Sequence, residues 1–291
     1  MFQNDLFKGK KILVTGGGTG LGKSMTERFL ELGAEVAICG RRKAVLEEAA
    51  AELTAKTGGT VTAWPLDIRV AEAVEETIGA IWAQGPLDAL VNNAAGNFIS
   101  RTEDLSPRAF DAIANIVLHG SFYVTTACGR RWLKEGRKGN ILSIVTTWVR
   151  NGSPYVVPSA MAKAGLAAMT RSLAVEWGPK GIRVNAIAPG PFPTEGAWAR
   201  LSPKPELAER PLESIPMRRV GRHEELADLA VYLLADQSEY LTGEIIAIDG
   251  GQALNNAGSF GRLSALSDQD WAEIRETIKT VNAKDKAMRT V

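Results

Sequence analysis

The chain has 291 residues, 45% of them hydrophobic, and a formal net charge of +1 from 34 basic and 33 acidic side chains. That length and apolar content supply the core of one large α/β domain. A charge so close to zero gives no field to gather nucleic acid or an anionic membrane, and no basic block interrupts the sequence, so neither partner is expected.

Residues Met1 to Lys8 lack a charged segment followed by an apolar run, and nothing in the chain nears the ~18 apolar residues of a membrane span, so a soluble, unexported, cytoplasmic protein is expected. The apolar run Lys11-Ile12-Leu13-Val14 then reads as a strand, and it leads into Thr15 and the stretch Gly16, Gly17, Gly18, Thr19, Gly20, Leu21, Gly22 before a helical segment from Lys23. Gly16, Gly20 and Gly22 omit side chains that would block a tight turn, a pyrophosphate lying on backbone amides, and a helix packed on the sheet. Free N–H groups at the helix start point to the same place, so the stretch is read as a dinucleotide site. The next strand, Ala34 to Cys39, ends about twenty residues on, where a ribose contact belongs. It closes in Cys39-Gly40-Arg41-Arg42: no carboxylate waits for a free ribose diol, and two guanidiniums wait for a phosphate, which selects NADP over NAD.

The alternation continues with a helix over Ala44–Lys56, a strand over Thr60–Trp64, a helix over Val70–Ala83 and a strand over Leu87–Asn92. Small residues in Asn93-Ala94-Ala95-Gly96 let the following loop lie against the cofactor. A helix over Arg108–Leu133 precedes the strand Asn140–Val145, and an Ala-rich helix runs from Ser159 to Gly178. Strand Arg183–Ala188 feeds Pro189-Gly190-Pro191, and the Pro-rich, charged segment from about Phe192 to Met217 is read as a substrate lid. Glu224–Leu234 is a helix and Glu244–Asp249 the last strand, before a tail over about 252–291. Seven strands alternating with helices, with no divisive linker, predict a single α/β domain over 1–291: a Rossmann fold with a doubly wound parallel seven-stranded sheet and helices on both faces. Cys39 and Cys128 are read as reduced core thiols, and His119 and His223 as structural or surface residues, with no metal site expected.

Thr15-Gly16 through Gly22, Asp67, Asn92-Asn93-Ala94-Ala95-Gly96, Lys163 and Pro189-Gly190, in that order, resemble the short-chain dehydrogenase/reductase family over nearly the whole chain. The resemblance implies Asp67 beside the adenine and the Asn92–Gly96 loop, with Asn93, flanking the cofactor. It implies Pro189, Gly190, Pro191 and Phe192 on the nicotinamide side, and Lys163 bonded to the nicotinamide ribose. The family's usual catalytic tyrosine stands four residues before the lysine, where this chain has Ser159. Four-residue spacing keeps Ser159 and Lys163 on one helix face, but a serine hydroxyl is far too weak an acid to replace a phenol of pKa ≈ 10.

Asn92 to Phe98, Val156-Val157-Pro158-Ser159, Ala188 to Pro191 and Gly196 to Leu201 are similar to a narrower branch, the 2,4-dienoyl-CoA reductases of the mitochondrial type and their bacterial relatives. That likeness implies Asn97 as a donor to the substrate thioester oxygen, with Arg69, Phe98, Ser106 and Arg200 contacting the acyl-CoA. Ser159 and Lys163 would complete the site, and Trp148 stands where the branch carries a tyrosine. Trp148 can donate one N–H bond or form an aromatic wall, and Asn97 can equally be an amide capping its own loop. Tyr155 is the nearest other phenol. Reduction of a ketone needs an acid for the alkoxide, whereas conjugate reduction of a thioester leaves a dienolate that N–H donors can stabilise. The expected function is NADPH-dependent reduction of a 2,4-dienoyl-CoA or enoyl-CoA in fatty-acid metabolism; a carbonyl reductase using Tyr155 and a non-catalytic NADP-binding scaffold are the alternatives. Family members pair through the helix that here carries Ala160, Ala164, Gly165, Ala167 and Ala168, which implies a homotetramer.

The two guanidiniums make a direct prediction. NADPH should bind at least roughly tenfold more tightly than NADH, and Arg41→Ala should remove most of that difference, as read by titration of both cofactors. Equal affinities in the unaltered protein would refute the phosphate role of Arg41 and Arg42.

Overall fold

In the computed structural model, residues 2–194, 211–255, 263 and 266–288 are described. Its elements in chain order are β1 (Lys11–Thr15), α1 (Gly20–Glu31), β2 (Glu35–Gly40), α2 (Lys43–Thr57), β3 (Val61–Pro65), α3 (Ala71–Ala83) and β4 (Ala89–Asn92). They continue with α4 (Pro107–Ala114), a π-helical stretch (Asn115–Gly120), α5 (Ser121–Glu135), β5 (Gly139–Ile144), α6 (Trp148–Asn151), α7 (Val157–Trp177) and β6 (Ile182–Pro189). Beyond them come α8 (Pro211–Ser214), α9 (His223–Leu234), β7 (Ile245–Ile248), α10 (Gln252–Asn255) and α11 (Asp268–Met288). The chain forms one compact unit over Met1–Ala253 and a second over Leu254–Val291.

Each strand side chain alternates between two covered faces. Ile12 and Val14 of β1 join Met25 and Phe29 of α1 and Leu226 and Val231 of α9 in one core cluster. Leu13 between them points the other way, to Ile78 of α3 and Val124 and Trp132 of α5. Burial on both faces is why the strands read as continuous apolar runs rather than as alternating ones. The seven strands pair in the order β3-β2-β1-β4-β5-β6-β7, all parallel. The order reverses between β1 and β4, so the crevice at the carboxyl ends of the strands opens there. This is the expected Rossmann sheet.

Three local differences from the sequence reading have physical causes. The strand expected over Leu87–Asn92 begins at Ala89, because Asp88 is occupied in fastening the strand ends: its carboxylate accepts from the Lys11 N–H and its own N–H donates to the Lys11 carbonyl, both at 2.8 Å. The helix expected unbroken over Arg108–Leu133 is interrupted by the π-helical turn, which carries one extra residue per turn. That turn brings Gly120 against Ile68 and Leu118 against Gly165 of α7, where an added Cβ would lie 2.6 Å from the facing side chain in each case. Gly165 and the buried Ala167 therefore serve packing within the chain rather than approach of a second one, whereas Met161, Ala164, Ala168 and Val175 remain exposed on α7.

In the second unit, Ser267 caps α11 by a reciprocal pair of bonds: its N–H and hydroxyl donate to the Asp270 carboxylate at 2.7 Å, and the Asp270 N–H reaches the Ser267 hydroxyl at 3.2 Å. Among the described residues no helix is long and apolar enough to cross a membrane. Cys39 and Cys128 are free and buried, and burial pushes the Cys39 thiol up to about 12.

Trp132 ties α5 to the sheet. It is fully buried, donates its indole N–H to the Leu87 carbonyl at 2.6 Å, and meets Trp82 edge-on at 6.3 Å between ring centroids. Trp132→Ala removes this volume and leaves a buried carbonyl unpaired, so it should lower the unfolding free energy by about 3–5 kcal/mol in urea titrations. A loss below about 1 kcal/mol, the size of an ordinary surface change, would show that the site collapses around the deletion.

Candidate active site

The exits of β1 and β4 are bonded to each other. Thr15 Oγ1 donates to the Val91 carbonyl at 3.3 Å and accepts from the N–H groups of Asn93 and Ala94, each at 3.0 Å. Asn93 Nδ2 donates to the carbonyls of Thr15 (3.0 Å) and Gly16 (3.3 Å). Gly16 turns with a φ of +67°, which a side chain would strain, and a Cβ on Gly22 would collide with the Gly16 carbonyl oxygen. Gly17 and Gly18 make room for Ile38 and Leu46 of their own chain, and Leu21 packs against the core. Thr19 precedes α1 without a side-chain cap bond, which leaves first-turn N–H groups open at the positive end of a 12-residue helix. These residues fit a pyrophosphate on the turn, and a dinucleotide bound there would be held by Gly16, Gly20 and Gly22 through their backbones.

At the adjacent strand ends, Arg41 and Arg42 are exposed and make no ion pair with a described residue. Asp67 is bound in a bidentate pair by Arg69, with Nε at 2.9 and 3.0 Å from the two carboxylate oxygens and Nη2 at 2.6 Å. Those bonds hold the Asp67 carboxyl below the usual carboxylate range, with Arg41 adding to the effect. A residue expected at the adenine and one expected at the acyl-CoA are thus joined.

Across the crevice, α7 carries Ser159 and Lys163, 4% and 6% exposed. Pro158 stands in the first turn, where its missing N–H has no helical partner to lose. Lys163 Nζ donates to the Ile144 carbonyl at the end of β5, and burial brings its pKa down to about 8. Trp148, at the position of the branch's tyrosine, is the half-buried first residue of the one-turn helix α6, which Arg150 fastens to β7 by a 2.7 Å bond to the Ile245 carbonyl. Asn97 uses its Oδ1 to accept from the Phe98 N–H at 2.9 Å, and its Nδ2 has no partner among the described residues. Three residues on, the same loop is tied down: the Ser100 N–H donates to the Tyr155 carbonyl at 2.9 Å. The Tyr155 side chain itself is 59% exposed, on a backbone with φ +65°.

Several expected site residues do other work. Asn92 is buried in the core, its Nδ2 bonded to Thr125 Oγ1 at 2.8 Å, so the cofactor-facing loop begins at Asn93 rather than Asn92. Ser106 caps α4 by accepting from the Ala109 N–H at 3.2 Å. Pro189 ends β6, Gly190 bonds the Ile248 carbonyl, and Pro191 is half-buried, but the Phe192 ring is 8% exposed and turned into the core, filling the slot that Gly221 leaves by lacking a Cβ. Phe98 packs on a third cluster with Ile113 and Leu166. Arg200, the Gly196–Leu201 stretch and most of the lid lie outside the described residues. Two residues carry roles that the sequence did not assign: Thr15, whose hydroxyl joins the two loops, and Thr194, whose methyl lies 3.2 Å from where a Gly20 Cβ would stand. A hydroxyl closing β1 and another in the segment that follows β6 are the signal that could have shown them.

A family profile described as "Enoyl-(Acyl carrier protein) reductase" matches residues 16–253. The chain is 42% identical over 293 residues to a Caenorhabditis elegans protein named "Probable 2,4-dienoyl-CoA reductase 3", of the (3E)-enoyl-CoA-producing kind, covering 98% of this chain and 94% of that one. It is 43% identical over 248 residues to a Bacillus subtilis "Probable 2,4-dienoyl-CoA reductase", of the (2E)-enoyl-CoA-producing kind, covering 84% and 97%. A crystal structure described as a short chain dehydrogenase from Bacillus anthracis is 44% identical and superposes with a TM-score of 0.79 over 84% of this chain and 96% of that one.

Buried Lys163 makes stability depend on pH. Its folded pKa of about 8 lies below the ordinary 10.5 because burial disfavours the charged ammonium. Between those values the unfolded chain keeps a proton that the native state has released, so stability rises with pH there and carries the full burial penalty below. In the ligand-free protein, denaturant titrations over that window should show a rise of roughly 3 kcal/mol at most from this residue, and Lys163→Met should remove it. The same slope in the variant would place the titration elsewhere.

Proposed function

The chain belongs to the short-chain dehydrogenase/reductase family, and from that premise we propose that it is an oxidoreductase that uses NADPH to reduce a conjugated acyl-CoA thioester, a 2,4-dienoyl-CoA or enoyl-CoA, in fatty-acid metabolism. The observation that carries the reading is the lack of a phenol beside the buried Ser159 and Lys163. Of the four tyrosines, Tyr240, Tyr155 and Tyr232 are exposed, and Tyr123 packs against the cluster around α3 and α5. Without a positioned acid, reduction of a ketone is poorly served, while a thioester whose charge collects on one oxygen needs donors instead. The identities of 42% and 43% to proteins named 2,4-dienoyl-CoA reductases favour the same substrate class.

The nicotinamide, when bound, would supply the hydride, and water would supply the proton that the resulting dienolate takes up at carbon. Asn97 is built to orient an N–H donor: its oxygen is engaged by Phe98, so the amide nitrogen is the end left for a substrate oxygen. The indole N–H of Trp148 is the second donor or wall, on a helix held by Arg150. Each such donor is worth about 3–4 kcal/mol of transition-state stabilisation when well placed. Lys163 keeps its ammonium against the Ile144 carbonyl, from where it can turn to the ribose hydroxyls, and Ser159 adds a hydroxyl on the same helix face. Arg41 and Arg42, exposed and in no ion pair with a described residue, support the choice of NADP. Arg69, already oriented by Asp67, keeps its Nη1 for the acyl-CoA. The exposed Met161, Ala164, Ala168 and Val175 of α7 support pairing of chains into a homotetramer, and two unpaired buried thiols favour a reducing compartment such as the cytoplasm.

Asn97→Ala should lower kcat/KM for a 2,4-dienoyl-CoA by roughly 10²–10³, followed by NADPH consumption, while Tyr155→Phe stays within about fewfold of the unaltered rate. Trp148→Tyr should keep or raise turnover. Activity abolished by Tyr155→Phe and untouched by Asn97→Ala would overturn the reading in favour of a carbonyl reductase.

A further inference from the structure

We propose that His223 is a positioning residue of the cofactor site: its imidazole fixes the Pro193 carbonyl to Ser24 of α1 and thereby holds Thr194 over Gly20, at the turn that receives the pyrophosphate. The proposal rests on the reading of Gly16–Gly22 as a dinucleotide site. His223 Nε2 lies 2.7 Å from the Pro193 carbonyl and Nδ1 lies 2.9 Å from Ser24 Oγ. A carbonyl only accepts, so Nε2 carries a proton and donates it. In the neutral ring Nδ1 then takes the Ser24 hydroxyl proton, for which the Gly20 carbonyl, 3.2 Å away, is the competing acceptor. The imidazole therefore spans two elements that are far apart in sequence, the first turns of α1 and the segment leaving β6.

Both ends of the span are firm. His223 is the first residue of α9, whose entry is fixed by the Glu225 carboxylate accepting from the Arg222 N–H at 2.9 Å. α9 is held along α1 by the Arg28–Asp228 pair at 2.8 Å and by Met25 and Phe29 against Leu226 and Val231. The segment from β6 is pinned on its other side, where the Gly221 N–H donates to the Pro191 carbonyl at 3.0 Å and the Phe192 ring fills the Gly221 slot. Between Phe192 and the outer wall of the glycine turn, His223 holds the Pro193 carbonyl. Proline has no N–H to anchor itself with, so the side chain supplies what the backbone lacks here. Thr194 follows immediately, against Gly20, whose φ of +51° places its backbone under that methyl.

A dinucleotide that reaches from the glycine turn to the β6 exit needs both walls in register, whereas its adenosine half touches only the first. NADPH and adenosine 2′,5′-bisphosphate should therefore be titrated into the unaltered protein, His223→Phe, His223→Gln, Ser24→Ala and the Ser24→Ala/His223→Phe double variant. His223→Phe should raise the NADPH dissociation constant about tenfold and leave the bisphosphate unchanged. His223→Gln, which keeps an N–H donor for Pro193, should restore most of the affinity, and the two single losses should be less than additive in the double variant. Equal NADPH affinity in His223→Phe and the unaltered protein would overturn the proposal. So would equal weakening of both ligands, the mark of a general folding role. An unaltered protein that binds neither ligand would overturn the dinucleotide reading and the proposal with it.

Discussion

One hydroxyl organises the crevice. Thr15 Oγ1 has a single proton and two acceptor positions, and all three are used: the proton on the Val91 carbonyl, the lone pairs on the N–H groups of Asn93 and Ala94. Asn93 returns both amide protons to the Thr15 and Gly16 carbonyls. The loops after β1 and β4 are thus one body, formed at the place where the sheet reverses its order. Everything on the β4 side inherits this placement, because Asn97 lies four residues beyond Asn93 and its loop is held again at Ser100. A network satisfied so fully is rigid, and each bond is stronger for being out of bulk water.

The opposite wall is built against stability. Lys163 brings an ammonium into the interior with one carbonyl for a partner, and no carboxylate among the described residues offsets it. An isolated buried charge of this kind is tolerated where surrounding packing is strong enough to absorb it, and α7 supplies that through Ala162, Leu166 and Ala167 beside it. On the solvent side the charges are arranged differently: Asp67 is already shared with Arg69, while Arg41 and Arg42 are left open for an anion. The crevice consequently offers positive charge at its rim and a masked cation at its floor, an arrangement suited to a polyanionic ligand.

The sheet and its helices were legible because burial on both faces leaves apolar runs that no other arrangement explains, and because glycines mark the first turn. Element ends shifted by a residue or two where a side chain bonds a strand end, as Asp88 does with Lys11. The π-helical turn left no trace in the sequence: it contains no proline, and its cause is the fit of Gly120 and Leu118 to neighbours distant in the chain. The same limit applies to Asn92 and Phe192, whose side chains are claimed by the core, and to Gly165, whose open side is filled by Leu118, although all three residue types suit a ligand or a partner. A motif gives the residue and its neighbours in the chain; which face it presents is decided by elements up to two hundred positions away, as His223 and Ser24 illustrate.

The bond from the Ser100 N–H to the Tyr155 carbonyl joins two loops through main-chain atoms alone. Such a tether is blind to side chains, so the residue at 100 can be exchanged widely while the loops keep their registry, and the one at 155 wherever its φ of +65° is tolerated. Proline at 100 is the exception, since it has no hydrogen to give. The phenol of Tyr155, exposed above this joint, is free to be lost or replaced without disturbing the loop beneath it, whereas the peptide that carries it is fixed in place. In a family where a tyrosine is the signature of the chemistry, this chain retains one near the site whose backbone is the part that matters.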